Sequence, residues 1–117
     1  MHNGVAYYRL HFPGAEAPLD LERTKDFYAT LYSAFPDLRH TIEEQLAEGD
    51  KVVTRWTARG THRGNLMGRG PTGNEIVFSG INIYRIADGR LAESHVNWDV
   101  IGVAHQLGLV DRRHLGE

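Results

Sequence analysis

Four polar residues alternate along one short segment near the end of the chain. In "ESHVNWDVIG", the side chains of Glu93, His95, Asn97 and Asp99 would share one face of an extended strand. A shielded carboxylate can accept a proton, and a neutral imidazole or an amide can donate a hydrogen bond. The segment could therefore move protons if this face lines a pocket. The polar face of an antiparallel sheet more often meets water, so the alternation alone leaves both interpretations open.

Other classes of site have little support in the sequence. The seven histidines show neither H-x-H nor H-E-x-x-H spacing, and the chain has no cysteine. We therefore expect no metal site, no disulfide and no thiol nucleophile. The glycine-rich segment "GRGPTGN" lacks the Lys and Ser/Thr of a phosphate-binding loop. We therefore expect no nucleotide binding at this loop.

Composition excludes some partners. The net charge is −2 and the basic residues are scattered, which argues against nucleic-acid binding. No apolar run approaches the roughly 18 residues of a membrane span. The start "MHNGVAYYRL" also lacks the apolar stretch of a signal peptide. A cytoplasmic protein that does not bind membranes is the simplest expectation.

One helix and five strands are predicted. Asp20 is a plausible N-cap, and apolar residues recur at helical spacing from Leu21 to Ala34, where Pro36 then ends the helix. Residues 63–74 form a glycine-rich loop, residues 101–108 a short helical turn, and residues 111–117 a polar tail. The predicted strands are 5–12, 38–48, 51–62, 75–86 and 91–100, joined in part by turns at "EGD" and "ADGR".

This order predicts a single α+β domain over residues 1–117. The helix must cover one face of a curved antiparallel sheet, which then forms a cone that can hold a ligand. Gly60 and Gly80 lie inside predicted strands and are candidate bulge or bend positions.

Three segments resemble a known family. They are "FPDLRHTIEEQLAEGDKVVTRWTARGTHRG", "PTGNEIVFSGINIYRIADGRLAESHVNWD" and "HQLG". In this order and spacing they resemble the SnoaL-like polyketide cyclases of the nuclear-transport-factor-2-like superfamily. Members usually carry one or two helices before the first strand, and this chain begins almost at that strand. The chain is then a fragment, or a partner supplies the lid, or the cone is more open.

The resemblance implies an aldol closure without metal or cofactor. Asp99 matches the acidic residue that removes a proton next to a carbonyl in the true cyclases, provided that shielding raises its pKa. His95 and Asn97 would then donate to the enolate oxygen, and His95 could return the proton. The concave face of this fold meets ligand, while the convex face often meets a second subunit. A homodimer is thus expected, with Val96 and Trp98 on the back of the sheet.

Three further residues are candidates for substrate binding. His11 ends the first strand, Trp56 could form an aromatic wall, and Asn82 lies among apolar neighbours in the fourth strand. Each also has a structural interpretation, as surface, core and convex-face contact respectively. Other possible donors, without a spacing argument, are Tyr7, Tyr8 and Tyr28; His62 is expected to be structural or at the rim.

Two classes of function stay open at this point. The first is a cyclase or isomerase that acts on a small hydrophobic carbonyl compound, with Asp99 as base. The second is a non-catalytic module that binds a small hydrophobic molecule or only dimerises, since fold does not carry function with it. Epoxide hydrolysis is less favoured, because neither Arg55 nor Arg59 has the Asp two residues away that this branch uses. The steroid isomerase branch needs an Asp base and a Tyr donor, which the sequence neither confirms nor excludes.

Overall fold

The computed structural model describes residues 8–12 and 16–110. The predicted helix is confirmed with the same bounds, as α1. The strands are confirmed too, although the part of the first one before residue 8 and the tail 111–117 lie outside the described residues. In chain order the elements are β1 (Arg9–His11), α1 (Leu21–Ala34), β2 (Arg39–Glu48), β3 (Lys51–Thr61), β4 (Glu75–Ala87), β5 (Arg90–Trp98) and α2 (Val100–Gln106).

The five strands form one sheet in the order β1-β5-β4-β3-β2. Strands β2 to β5 are antiparallel neighbours, but β1 pairs with β5 in parallel. The sheet is therefore mixed, whereas the sequence predicted an antiparallel one. The reason is the connection through α1, which carries the chain from β1 at one edge to β2 at the other before the antiparallel run returns. This fold is α+β, as predicted.

Local signals set the ends of α1. The Asp20 carboxylate accepts a hydrogen bond from the backbone N–H of Arg23 at 3.0 Å, which satisfies one of the free donors of the first turn. At the other end, the N–H of Phe35 still bonds the carbonyl of Leu31 before Pro36 stops the helix. These two ends place the helix across the sheet.

The helix covers what we call the inner face of the sheet. Two apolar clusters lie there, one around Phe35, Ile76 and Leu107 and one around Leu10 and Val96. The side chains of Trp56 and Trp98 pack against both clusters and so join them. Burial of this apolar surface is the main favourable term in folding.

The short helix α2 docks on the same sheet through a glutamine side chain and through apolar packing. The amide of Gln106 donates to the carbonyl of Val77 at 2.7 Å and accepts from its N–H at 2.9 Å. A single glutamine thus satisfies both backbone groups of one residue of β4. Val103 and Leu107 then complete the burial of α2.

The opposite face, the outer face, carries exposed apolar side chains. Ile81 and Ile83 on β4 are 45% and 41% exposed, and Leu46 on β2 is 63% exposed. The expected homodimer stays a prediction. None of the described helices is long and apolar enough to cross a membrane.

Gly60 and Gly80 were predicted to be bulge or bend positions, and neither is a bulge. Pairing continues through both, and the register shifts instead at Ile42/Glu44 and Arg85/Ile86. Both glycines instead make room for aromatic rings. A Cβ on Gly60 would lie 2.8 Å from the Cβ of Phe35, and one on Gly80 would lie 2.8 Å from Cη2 of Trp56.

We therefore expect Gly60→Ala to lower the free energy of unfolding by about 1–3 kcal/mol, because overpacking forces neighbours to move. The Cβ of Phe35 sits on its backbone and cannot swing away. The measurement is urea denaturation followed by tryptophan fluorescence. Gly70→Ala is the matched control, since nothing lies within 4 Å of a Cβ there. Equal midpoints for the two variants would contradict this account.

Candidate functional site

A cavity of about 220 Å³ lies between α1 and the inner face of the sheet. Its walls are predominantly aromatic, since β3, β4 and β5 turn large side chains inward at alternate positions and α1 adds two more. Among the described residues, the aromatic side chains that line it are Phe12, Phe27, Tyr28, Trp56, Phe78, Tyr84 and Trp98. An apolar pocket with few polar groups is the usual form of a small-molecule site.

The aromatic rings contact one another at the geometry expected for such pairs. Phe12 meets Phe27 edge-on with ring centroids 4.7 Å apart, and Trp56 meets Phe78 edge-on at 5.9 Å. Edge-to-face pairs of this kind add to the burial energy and hold each ring in place. The rings that form the wall of the cavity therefore support one another.

A chain of hydrogen bonds runs along the floor of the cavity. The indole N–H of Trp56 donates to Oδ1 of Asn82 at 2.7 Å, and Nδ2 of Asn82 donates to Oγ of Ser94 at 2.8 Å. Tyr8 joins this chain through a hydrogen bond with Ser94, which lowers the pKa of its phenol. The larger effect is burial, followed by the nearby Tyr28, and together these raise the pKa of Tyr8 to about 12. The predicted candidates Asn82 and Trp56 thus both line the cavity, and Asn82 orients the Trp56 ring.

Three of the residues that line the cavity are titratable. His40 on β2 lines the cavity and meets Trp56 edge-on, with ring centroids 5.2 Å apart. Partial burial of the imidazole lowers the pKa of His40 below its usual 6.5, although the residue as a whole is exposed, so the imidazole is neutral near pH 7. Burial raises the pKa values of Tyr28 and Tyr84, so both phenols keep their protons. The cavity thus presents one neutral base and two O–H donors.

The alternation of β2 contains a signal for His40, although the sequence analysis did not predict His40 as a site residue. His40 and Ile42 alternate on one face of β2, and both line the cavity. The alternation breaks just after them, at the bulge between Ile42 and Glu44. A histidine in phase with an inward isoleucine was therefore a recognisable inner-face residue.

The polar row of β5 lies on the opposite face from the cavity. Its apolar partners Val96 and Trp98 line the cavity, whereas the sequence placed them on the back of the sheet. The predicted assignment of the two faces of β5 is therefore wrong: the apolar face lies inside and the polar face outside. The physical reason is that α1 packs where burial of Val96 and Trp98 removes apolar surface from water. His95 and Asn97 then keep their hydration on the outer face, where both are exposed.

Asp99, the predicted base, ends the row at the start of α2. Its carboxylate accepts a hydrogen bond from the N–H of Gly102 at 2.8 Å and so caps that helix. With Asn97, Arg55 and Ile81 it borders an open groove of about 290 Å³ on the outer face. The catalytic roles assigned to Asp99 and His95 stay predictions.

His11 also lies on the outer face, away from the cavity. Its Nε2 is 2.7 Å from Oε2 of Glu93, and its ring stacks on that of His95 with centroids 4.0 Å apart. Arg85 donates to the other oxygen of Glu93 at 3.0 Å. The hydrogen bond from Arg85, and to a smaller extent the one with His11, holds the pKa of Glu93 below its usual value.

His62 is buried away from the cavity, and its Nδ1 accepts from the N–H of Thr72 at 3.2 Å. It holds the loop after β3, which agrees with its predicted structural role. Tyr7 lies outside the described residues.

We expect Asn82→Ala to lower the free energy of unfolding by about 1–3 kcal/mol, because it removes the acceptor of the partly buried Trp56 N–H and the donor to the buried Ser94 hydroxyl. The change should also alter the tryptophan emission spectrum. Asn97→Ala is the matched control on the exposed outer face and should stay within about 0.5 kcal/mol of wild type. Urea denaturation measures both. An Asn82→Ala chain as stable as the control would show that the hydrogen-bond chain contributes nothing.

Comparison with known proteins points to the same family as the resemblance in the sequence. The family model for SnoaL-like polyketide cyclases matches residues 3–107. Curated proteins give no match. Among solved structures, IdmH of Streptomyces antibioticus, a candidate polyketide cyclase, is 33% identical with a TM-score of 0.76; the match covers 88% of this chain and 80% of that one.

Two other solved structures are similar. TsrD of Streptomyces laurentii is 30% identical with a TM-score of 0.77, over 90% of this chain and 77% of that one. AclR of Streptomyces galilaeus, a candidate hydroxylase, has a TM-score of 0.82 at 24% identity, over 89% and 68% of the two chains, and so shows the fold alone. Since the family model matches most of the sequence, this chain belongs to the SnoaL-like polyketide cyclase family.

Proposed function

We propose that this protein is a cofactor-independent cyclase or isomerase that acts on a small hydrophobic carbonyl compound in the inner cavity. The observation that carries the proposal is the aromatic cavity under α1, with a neutral imidazole and two phenols among the side chains that line it. Membership in the SnoaL-like family supports it, as does the similarity to IdmH, itself a candidate polyketide cyclase.

The size of the cavity bounds the substrate. A cavity of about 150 Å³ is enough for one benzene ring. At about 220 Å³, this cavity suits a compound of one or two rings. Flat unsaturated rings gain roughly 0.5–1.5 kcal/mol per aromatic contact beyond the area they bury. We therefore assign an aromatic or conjugated carbonyl compound as the substrate class.

The mechanism follows from the groups that line the cavity. His40 removes a proton from the carbon next to the carbonyl, because its imidazole is neutral and has a free lone pair. The phenol of Tyr28 or Tyr84 donates to the enolate oxygen as charge develops there. The enolate carbon then attacks a second carbonyl, which closes a ring, or takes up a proton elsewhere, which isomerises the compound. The imidazolium returns the proton to the product oxygen or carbon.

His40 is the better base on structural grounds. Asp99 lies on the other side of the sheet from the aromatic cavity, and its carboxylate already caps α2. A base must come within hydrogen-bond reach of the proton that it abstracts, and His40 already lines the cavity. His40 therefore takes the role that the sequence assigned to Asp99.

We expect His40→Gln to slow proton abstraction by about 10²–10⁴-fold, the usual contribution of a general base. Asp99→Asn should keep the wild-type rate, since Asn caps a helix as well as Asp does. The probe is 2-tetralone, a two-ring ketone, and the measurement is exchange of its α-protons in D₂O followed by proton NMR. Quenching of tryptophan emission would report its binding separately.

Each outcome of this assay has a defined meaning. Loss of exchange in Asp99→Asn with retention in His40→Gln would return the role of base to Asp99. Binding of the ketone by the wild-type protein without any exchange would refute catalysis and favour a small-molecule-binding module.

The pH dependence of exchange should follow His40. The neutral imidazole is the active form, so the rate falls as the pH drops through the pKa of His40 and is constant above it. Because burial lowers this pKa, the acidic limb should lie below pH 6.5. A pH–rate profile with 2-tetralone measures this, and the limb should vanish in His40→Gln. If the acidic limb instead lies near the ordinary carboxylate pKa of about 4 and persists in His40→Gln, the assignment of His40 as base is wrong.

A further inference from the structure

We propose that His11, Glu93 and His95 form a binding site for one divalent transition-metal ion, such as Zn²⁺, whose known ligand sets include this one. These three residues, the outer cluster, lie on the face opposite the aromatic cavity. Each offers one ligand atom, and the three atoms lie within 4.8 Å of one another. The site is separate from the proposed reaction, so either proposal can fail without the other.

The parallel pairing of β1 with β5 builds the cluster. In this register His11 lies beside His95, and Arg9 lies beside Glu93. Because Glu93 and His95 are two residues apart on one strand, both point to the outer face, where His11 joins them. The result is a contact between Nε2 of His11 and Oε2 of Glu93 at 2.7 Å and a ring stack between the two histidines.

The ligand set fits the chemistry of zinc. Two imidazoles and one carboxylate form a known set of three protein ligands for Zn²⁺, with a fourth position left to water. Imidazole also suits Cu²⁺ and Ni²⁺, whereas Ca²⁺ and Mg²⁺ prefer oxygen ligands. The outer cluster therefore selects transition metals over the alkaline-earth ions.

Binding needs one side chain to move. The ligand atoms of a tetrahedral zinc ion lie about 3.3 Å apart, as bond lengths of about 2.0–2.1 Å require. The planes of His11 and His95 differ by only 4°, so stacked rings do not aim their lone pairs at one point. His95 is exposed and can rotate toward Oε2 of Glu93. The ion then takes the place of the proton shared by His11 and Glu93.

Arg85 has two opposite effects on the site. Its Nε donates to Oε1 of Glu93, which orients the carboxylate and leaves Oε2 for the ion, as partners beyond the ligands commonly do. Its positive charge also opposes a cation nearby. Bound metal would tie the short edge strand β1 to β5 and so stabilise the folded chain.

The test is titration of the protein with Zn²⁺ by calorimetry, with Co²⁺ as a second probe whose visible absorption reports tetrahedral coordination. We expect one ion per chain. Glu93→Gln and His95→Gln should each weaken binding at least about tenfold, since loss of even an outer partner of a ligand costs 10–100-fold. His105→Gln on α2 is the matched control and should keep wild-type affinity.

Thermal unfolding provides a second measurement. Zn²⁺ should raise the Tm of the wild-type chain and of His105→Gln, but not that of His95→Gln. The exposed His95 can be replaced without unfolding the chain, and circular dichroism checks this directly. Failure of the wild-type chain to bind Zn²⁺, or equal affinity in wild type, Glu93→Gln and His95→Gln, would overturn the proposal.

Discussion

The contact of Trp56 with the backbone of β4 is the interaction on which the site depends. Gly80 has no Cβ, so the indole lies directly on the strand, and Asn82 accepts the indole N–H at 2.7 Å. The indole N–H is partly buried, and its acceptor lies two residues beyond Gly80 on the same strand. The contact with Gly80 and the hydrogen bond to Asn82 together fix the orientation of the Trp56 ring. From it, the ring joins the two apolar clusters and forms a wall of the cavity.

The local elements were predictable because their signals are local. The cap at Asp20, the helical spacing and Pro36 act within a few residues, so α1 has the predicted bounds. The two faces of β5 were also separated correctly by alternation. What alternation cannot tell is which face a distant helix will cover. That choice depends on the total apolar surface of β3, β4 and β5, and Trp56, Phe78 and Trp98 together decide it.

Contacts between segments that are distant in the sequence could not be predicted from short sequence patterns. Rules of metal-ligand spacing describe residues within one helix or one loop. His11 and Glu93 are brought together only because β1 lies parallel to β5. The same holds for the inner site, where His40 and Tyr28 come from elements that no short motif connects. The sequence predicted the fold and two cavity residues, Trp56 and Asn82, but not the groups that surround them.

The terminal strand β2 has a consequence for how the chain behaves at high concentration. All ten of its residues are exposed, and it forms one edge of the described sheet. A long flat edge would be a template for strands of other molecules. The bulge between Ile42 and Glu44 interrupts its pairing pattern, and Glu43 and Glu44 add negative charge at that point. An edge that is bulged and charged in this way hinders growth into extended intermolecular sheets, so the chain should stay dispersed at high concentration.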